Sequence, residues 1–228
     1  TIRASDAGGL RTTRACRADS RPLHLLAADD YPLYTRALCA NRLRQMRGVM
    51  ARYGVAPAEG DAARDASIAA LAAGPLLRRE LQQRVLASRP FGKKSLKWFT
   101  MSWWGVVRQA IVEGAVCYGP LREGDTALIL VEQWLGRQKE WSEQEAQREL
   151  LRRYLRAYGP ASPRDFAYWS GLSVAEVRPV WELLRDEMTE VVVEDSASKS
   201  CAMLARDVKQ LQSARLREIG RASCRERV

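Results

Sequence analysis

The chain has 228 residues, of which 46% are hydrophobic and 28% charged, and its formal net charge is +10. This composition is typical of one or two folded domains and excludes a fully disordered chain, while the cations predict an anionic partner. The sequence shows no apolar run near the roughly 18 residues of a membrane span and no secretory signal, so we expect no membrane association.

The side chains that usually bind metals are few and scattered. There is one histidine, His24, and the five cysteines show no zinc-ligand spacing (Cys16, Cys39, Cys117, Cys201 and Cys224). We therefore expect no metal site and no cofactor. An odd, scattered set of cysteines also favours a reducing cytoplasm.

The first 60 residues predict a tail, a strand and a long helix. Residues 1–21 hold five Arg and two Asp, which predicts a basic, poorly ordered tail. The segment "PLHLLAADD" predicts a short strand and a turn, and Asp30 would cap a helix from Pro32 past Met50. A linker is predicted over residues 54–61.

The rest of the chain contains an internal repeat. "GPLLRREL" (74–81) and "GPASPRDF" (159–166) align at an offset of 85 residues. Each is followed by a second helical segment, then by short β-rich pieces. Helices followed by a two-stranded hairpin indicate a winged helix, so we predict a mainly α fold with small antiparallel β wings, arranged as tandem winged-helix modules. The alternative is two unrelated helical pairs in a bundle.

Capping residues support two helices in the second copy. Ser162 stands before a proline as a helix N-cap, and Gly171 can end that helix in a left-handed conformation. Ser173 and Glu176 have the spacing of a capping box for the next helix. Pro179 should bend that helix without abolishing it.

The two copies differ in charge. Residues 75–110 carry eight Lys or Arg against one Glu, whereas residues 143–195 carry seven Arg against eleven Asp or Glu. We therefore predict a basic module over residues 61–136 and an acidic module over residues 137–216. The helix pair of the acidic module should be mainly architectural, with a core of Phe166, Trp169, Val177, Val180 and Leu184.

The basic module is the predicted DNA-binding part, because phosphate contacts need cations. Its second helix would bury one face, made of Leu96, Phe99, Trp103, Val106 and Ala110. Another face would contact DNA through Lys93, Lys94, Lys97, Trp104 and Arg108, with Trp104 packing on a sugar or base. The alternative is a solvated basic face with Trp104 packed against a neighbouring module.

Four segments resemble the AlkZ-like winged-helix DNA glycosylases in matching chain order. They are "LHLLAADDYPLY", "EGAVCYGP", "LVEQWL" and "RRYLRAYGPASPRDFAYWSGLSVAEVRPVWELL". The likeness covers about residues 22–216 and makes residues 22–60 the end of a first module with a linker helix. It implies a concave DNA-binding surface. It also implies hydrolysis of the N-glycosidic bond of alkylated or crosslinked bases, with an amide or carboxylate that positions water.

The chain departs from the family pattern in two places. The family's Gln-x-Gln or Gln-x-Asp signature lies upstream of "LHLL", yet residues 1–21 contain no Gln. We interpret Gln210-Leu211-Gln212 as a chance match. The family's C-terminal β-rich domain has no counterpart, and residues 217–228 form a tail that resembles a translated sequencing adapter.

These departures favour a fragment that binds DNA without catalysis. The catalytic residues are unassigned; His24 is a candidate for orienting a water or contacting a flipped base, or else a hydrogen-bonded residue at a strand end. Asp29 and Asp30 are better explained as helix caps than as general bases. The expected partner is double-stranded DNA, damaged or intact. The alternatives are a winged-helix transcription regulator, which would read base edges, and a protein-interaction scaffold.

Overall fold

A computed structural model describes residues 12–15, 24–101, 105–192 and 200–213 of the chain, without the side chains at 12–15, 24–26, 101 and 211. These residues are mainly helical, with three two-stranded antiparallel sheets. The chain divides into two compact units, Thr1–Leu150 and Leu151–Val228. None of the helices within the described ranges is both long and apolar enough to cross a membrane.

The first unit opens with a hairpin and a long helix. Strand β1 (Thr12–Ala15) pairs antiparallel with β2 (His24–Ala27), so the predicted disordered tail is wrong at these four residues, whose two β-branched threonines suit a strand. Helix α1 spans Tyr31–Arg52, as predicted. Asp30 occupies its N-cap position but makes no side-chain capping bond, because its backbone is helical rather than extended.

Four helices follow α1. They are α2 (Pro57–Leu71), α3 (Arg78–Ser88), α4 (Lys93–Met101) and α5 (Arg108–Val112). The predicted linker over 54–61 is therefore shorter, since Pro57 begins a helix with its preset φ angle. The predicted second helix of the basic module is also broken in two. Gly105 approaches the carbonyl of Phe99 so closely that a Cβ atom would clash there, and a turn leads into α5.

The wing of the first unit is a hairpin. Strand β3 (Val116–Arg122) pairs antiparallel with β4 (Asp125–Leu130), and α6 (Val131–Leu135) follows. The turn residues Glu123 and Gly124 have φ angles of 55° and 84°, which is the geometry of a two-residue hairpin turn with the same handedness as the strand twist.

The second unit repeats this plan. Helix α7 (Glu143–Tyr158) contains the division between the units, and it is followed by α8 (Pro163–Ser170) and α9 (Val174–Glu182). The second wing pairs β5 (Met188–Val191) with β6 (Cys201–Leu204), and α10 (Val208–Ser213) follows.

All four capping predictions for α8 and α9 are confirmed. Ser162 Oγ accepts the backbone N–H of Asp165, and Gly171 ends α8 with a φ of 77°. Ser173 and Glu176 form a reciprocal capping box at the start of α9, and Pro179 lies inside that helix without ending it.

A matching backbone contact in each unit confirms the repeat. Leu76 forms an isolated antiparallel bridge with Leu128 of the first wing, and Ala161 forms one with Ala202 of the second. Leu76 and Ala161 are 85 residues apart, as the sequence alignment predicted. Each wing thus gains a third bridging segment just before its second helix, and the fold is a pair of tandem winged helices.

The two cores use the predicted positions with one exception. Phe99, Val106 and Ala110 are buried in the first unit, but Leu96 is 43% exposed, because α4 ends before the face that the continuous helix would have formed. In the second unit Phe166, Val177, Val180 and Leu184 are buried, and Trp169 is half-buried. Trp103 lies outside the described residues.

Candidate nucleic-acid interface

Helix α4 carries three exposed lysines with no carboxylate on the same helix. Lys93, Lys94 and Lys97 are all exposed, and no ion pair is formed by any of them within the part of the chain that the structure describes. Other cations of this unit are paired, as Arg122 is with Glu80 at 2.8 Å. Cations that are not neutralised by the protein remain available to phosphate, so α4 has the electrostatics of a DNA-contacting helix.

Glu59 of α2 holds the start of this helix. Its carboxylate accepts the backbone N–H of Gly92 at 2.6 Å and the hydroxyl of buried Ser95. The hydroxyl of Ser95, followed by the amide of Gly92, lowers the pKa of Glu59 below its usual value. The two bonds satisfy donors at the N-terminus of α4 and fix the lysines on a rigid element.

A groove lies beside the lysines, between α4 and the end of α1. It has a volume of about 700 Å³ and is lined by Ala51, Arg52, Tyr53, Gly54, Lys94, Lys97 and Trp98. The rings of Tyr53 and Trp98 form its aromatic wall, with centroids 4.8 Å apart and planes tilted by 44°. Lys94, Lys97 and Trp98 share one face of α4 because helix neighbours recur at three and four residues.

A left-handed glycine brings Lys94 to the rim of this groove. Gly54 has a φ of +75°, and a Cβ atom there would lie 2.6 Å from Cδ of Lys94. The absence of a side chain at position 54 therefore lets the aliphatic part of Lys94 lie against the backbone. Its ammonium group, together with Arg52 and Lys97, makes the groove cationic.

The remaining predicted DNA-contacting residues do not all join this face. Arg108 is half-buried at the first position of α5, so it belongs to a different helix from Lys94 and Lys97. The predicted single face is wrong for Arg108, because the chain turns at Gly105 before reaching it. Trp104 lies outside the described residues.

The residues considered for catalysis are spread along the chain. His24 begins β2 with its backbone opposite Ala15, and its side chain lies outside the described residues. Asp29 is exposed in a turn before α1. Gln210 and Gln212 are exposed on α10.

The corresponding helix of the acidic module has the opposite character. The carboxylate of Glu176 is used by the cap of α9, and Glu182 is paired with Arg185 at 2.7 Å. Arg178 is the only cation in α9. This helix offers a phosphate backbone more repulsion than attraction.

The sequence reasoning missed Tyr53, Arg52 and Trp98. Tyr53 is 60% exposed, a high value for a large aromatic ring, yet it lies 45 residues from its partner in the chain. The only local signal is an aromatic residue between a cation and a glycine at a helix end, which does not reveal its partner.

Among the described residues, no cluster of three or more His, Cys, Asp or Glu could hold a metal ion. The buried thiol of Cys117, whose pKa is raised to about 12 by burial, has the character of a core residue rather than of a nucleophile.

Comparisons with known proteins converge on DNA repair. The family model described as "DNA glycosylase AlkZ-like" matches residues 17–219. A similar curated protein is an interstrand DNA cross-link repair glycosylase of Streptomyces sahachiroi, 30% identical over 181 residues, which are 75% of this chain and 47% of that protein. The chain therefore spans about half the length of this relative.

A solved structure shows the same fold. The DNA glycosylase AlkZ of Streptomyces sahachiroi is similar with a TM-score of 0.75 and 24% sequence identity, over 90% of this chain and 56% of that one.

Proposed function

The chain belongs to the AlkZ-like DNA glycosylase family, and on that premise we propose that it binds duplex DNA through its basic winged helix. The observation that carries this proposal is the set of exposed lysines on α4 that make no ion pair in the described structure. In the acidic module the equivalent helix lacks such cations, so the basic module supplies the phosphate contacts.

The experiment is a titration of duplex binding against salt. The logarithm of the association constant should fall linearly with the logarithm of salt concentration, by about 0.9 for each phosphate neutralised. Replacing Lys93, Lys94 and Lys97 by Gln should flatten that slope by up to about three contacts. An affinity that does not change with salt would leave a protein-interaction scaffold as the better explanation.

We further propose that the chain serves a repair glycosylase that cleaves the N-glycosidic bond of alkylated or crosslinked bases. The support is the family and the relative's cross-link repair role. The chain itself offers no glutamine upstream of His24, and no described group is positioned beside a sugar. We therefore expect no release of methylated bases from alkylated duplex by this chain. Release that is lost in His24→Ala would place the catalytic centre within it.

A further inference from the structure

We propose that the groove between α1 and α4 binds an unpaired DNA base, which stacks on the Tyr53–Trp98 wall while Arg52, Lys94 and Lys97 hold the flanking phosphates. This inference rests on the proposed DNA binding and adds a subsite to it. The juxtaposition of an exposed aromatic pair with three cations is the feature that carries it.

The wall has the properties of a stacking platform. Tyr53 leaves 60% of its surface exposed, while Trp98 is half-buried and packed against the core of the unit. One ring is therefore fixed by the fold, and the other extends the apolar surface into solvent. Bases of every sequence can stack on such rings, because each base has a π face.

The rim matches the other half of a nucleotide. Arg52, Lys94 and Lys97 surround the rings, and no acidic residue lines the groove. An apolar peptide would gain nothing from these three cations, whereas a nucleotide presents an aromatic base and an anionic phosphate together. The volume of about 700 Å³ lies within the range of about 300–1,000 Å³ seen for small-molecule sites.

The groove is also preorganised. The Glu59 carboxylate fixes the start of α4 through Gly92 and Ser95, and Gly54 lets Lys94 lie close to the backbone. Because the cations and one ring are held before DNA arrives, little ordering is needed on binding. A paired base in an intact duplex has both faces stacked, so the platform selects a base that has left the helix.

The test compares three DNA ligands by fluorescence anisotropy at one salt concentration: an intact duplex, the same duplex with a single-base bulge, and the bulge with an abasic sugar in place of the base. We expect the bulged duplex to bind about tenfold more tightly than the intact one, and the abasic bulge to lose that preference. Equal binding of all three by the wild-type chain would overturn the proposal.

The decisive variant is Tyr53→Ala, which removes an exposed ring without opening the core. It should weaken binding of the bulged duplex by roughly five- to hundred-fold, much more than it weakens the intact duplex, and Tyr53→Phe should retain the preference. Tyr168→Ala is the matched control, since Tyr168 is an 88% exposed tyrosine of the acidic module and should change neither affinity.

The outcomes separate this inference from the proposed function. Salt-dependent duplex binding without any preference for the bulge would reject the stacking site and leave DNA binding intact. Equal losses for intact and bulged duplexes in Tyr53→Ala would also reject it, since the ring would then contact the backbone. No binding to any of the three ligands would reject both.

Discussion

Helices α4 and α9 occupy the same place in two copies of one fold, yet they differ in charge and in how they are held. Helix α4 has three exposed lysines, and its start is bound by Glu59 from another helix. Helix α9 has two glutamates and one arginine, and its start is capped within its own first turn by Ser173 and Glu176. The scaffold thus depends on apolar and capping positions, while the outward charge varies freely. A winged-helix pattern alone therefore does not identify the DNA-contacting copy.

The largest expected effect tests whether the two modules have equivalent cores. Phe99 and Phe166 are 1% and 0% exposed. Replacing either by Ala should destabilise its own unit by about 3–5 kcal/mol, since it removes buried apolar surface and leaves a cavity. Native-state hydrogen exchange reports the two units separately. A loss below about 1 kcal/mol in one unit would show that its core is not built as described.

A smaller effect should come from the local cap of the acidic module. Ser162 is buried, and its hydroxyl accepts from the backbone of Asp165. Ser162→Ala should cost about 1 kcal/mol of stability, the usual effect of losing an N-cap. The loss should appear in the exchange of α8 amides and leave DNA affinity unchanged. A matching fall in duplex affinity would contradict the division of roles between the modules.

The smallest effect should come from the tertiary cap of the basic module, and it should depend on pH. The folded pKa of Glu59 is lowered by the bonds from Ser95 and Gly92. Its contribution is therefore fully present above the unfolded pKa of about 4.3 and is lost as pH falls through the lower folded pKa. Urea unfolding across that range should show a shallower acid-side loss in Glu59→Gln than in the wild type. Identical pH profiles would mean that Glu59 does not hold α4.

Local signals predicted the fold well where one or two turns of helix decide the structure. Ser162, Gly171, Ser173 and Glu176 act within their own helices, so their roles could be predicted without knowing the neighbours. The 85-residue repeat likewise needed only chain order.

The candidate site depends on contacts that a linear pattern does not contain. The wall of the groove joins Tyr53 to Trp98 across two intervening helices, and the end of the predicted long helix depends on how closely Gly105 approaches Phe99. Arg108 was placed with Lys94 and Lys97 because helical periodicity was extended through that turn. Sequence therefore predicted the right helix and three of its lysines, but not the groove beside it.

The central claim is that the basic winged helix contacts DNA and the acidic one does not. It is tested most directly by the salt slopes of duplex binding for two matched double reversals. Lys94→Glu with Lys97→Glu changes the basic module, and Arg164→Glu with Arg178→Glu changes exposed arginines of the acidic module. We predict that the lysine pair weakens binding and flattens the slope by up to about two phosphate contacts, while the arginine pair leaves the slope unchanged. Equal flattening by both pairs would contradict the account.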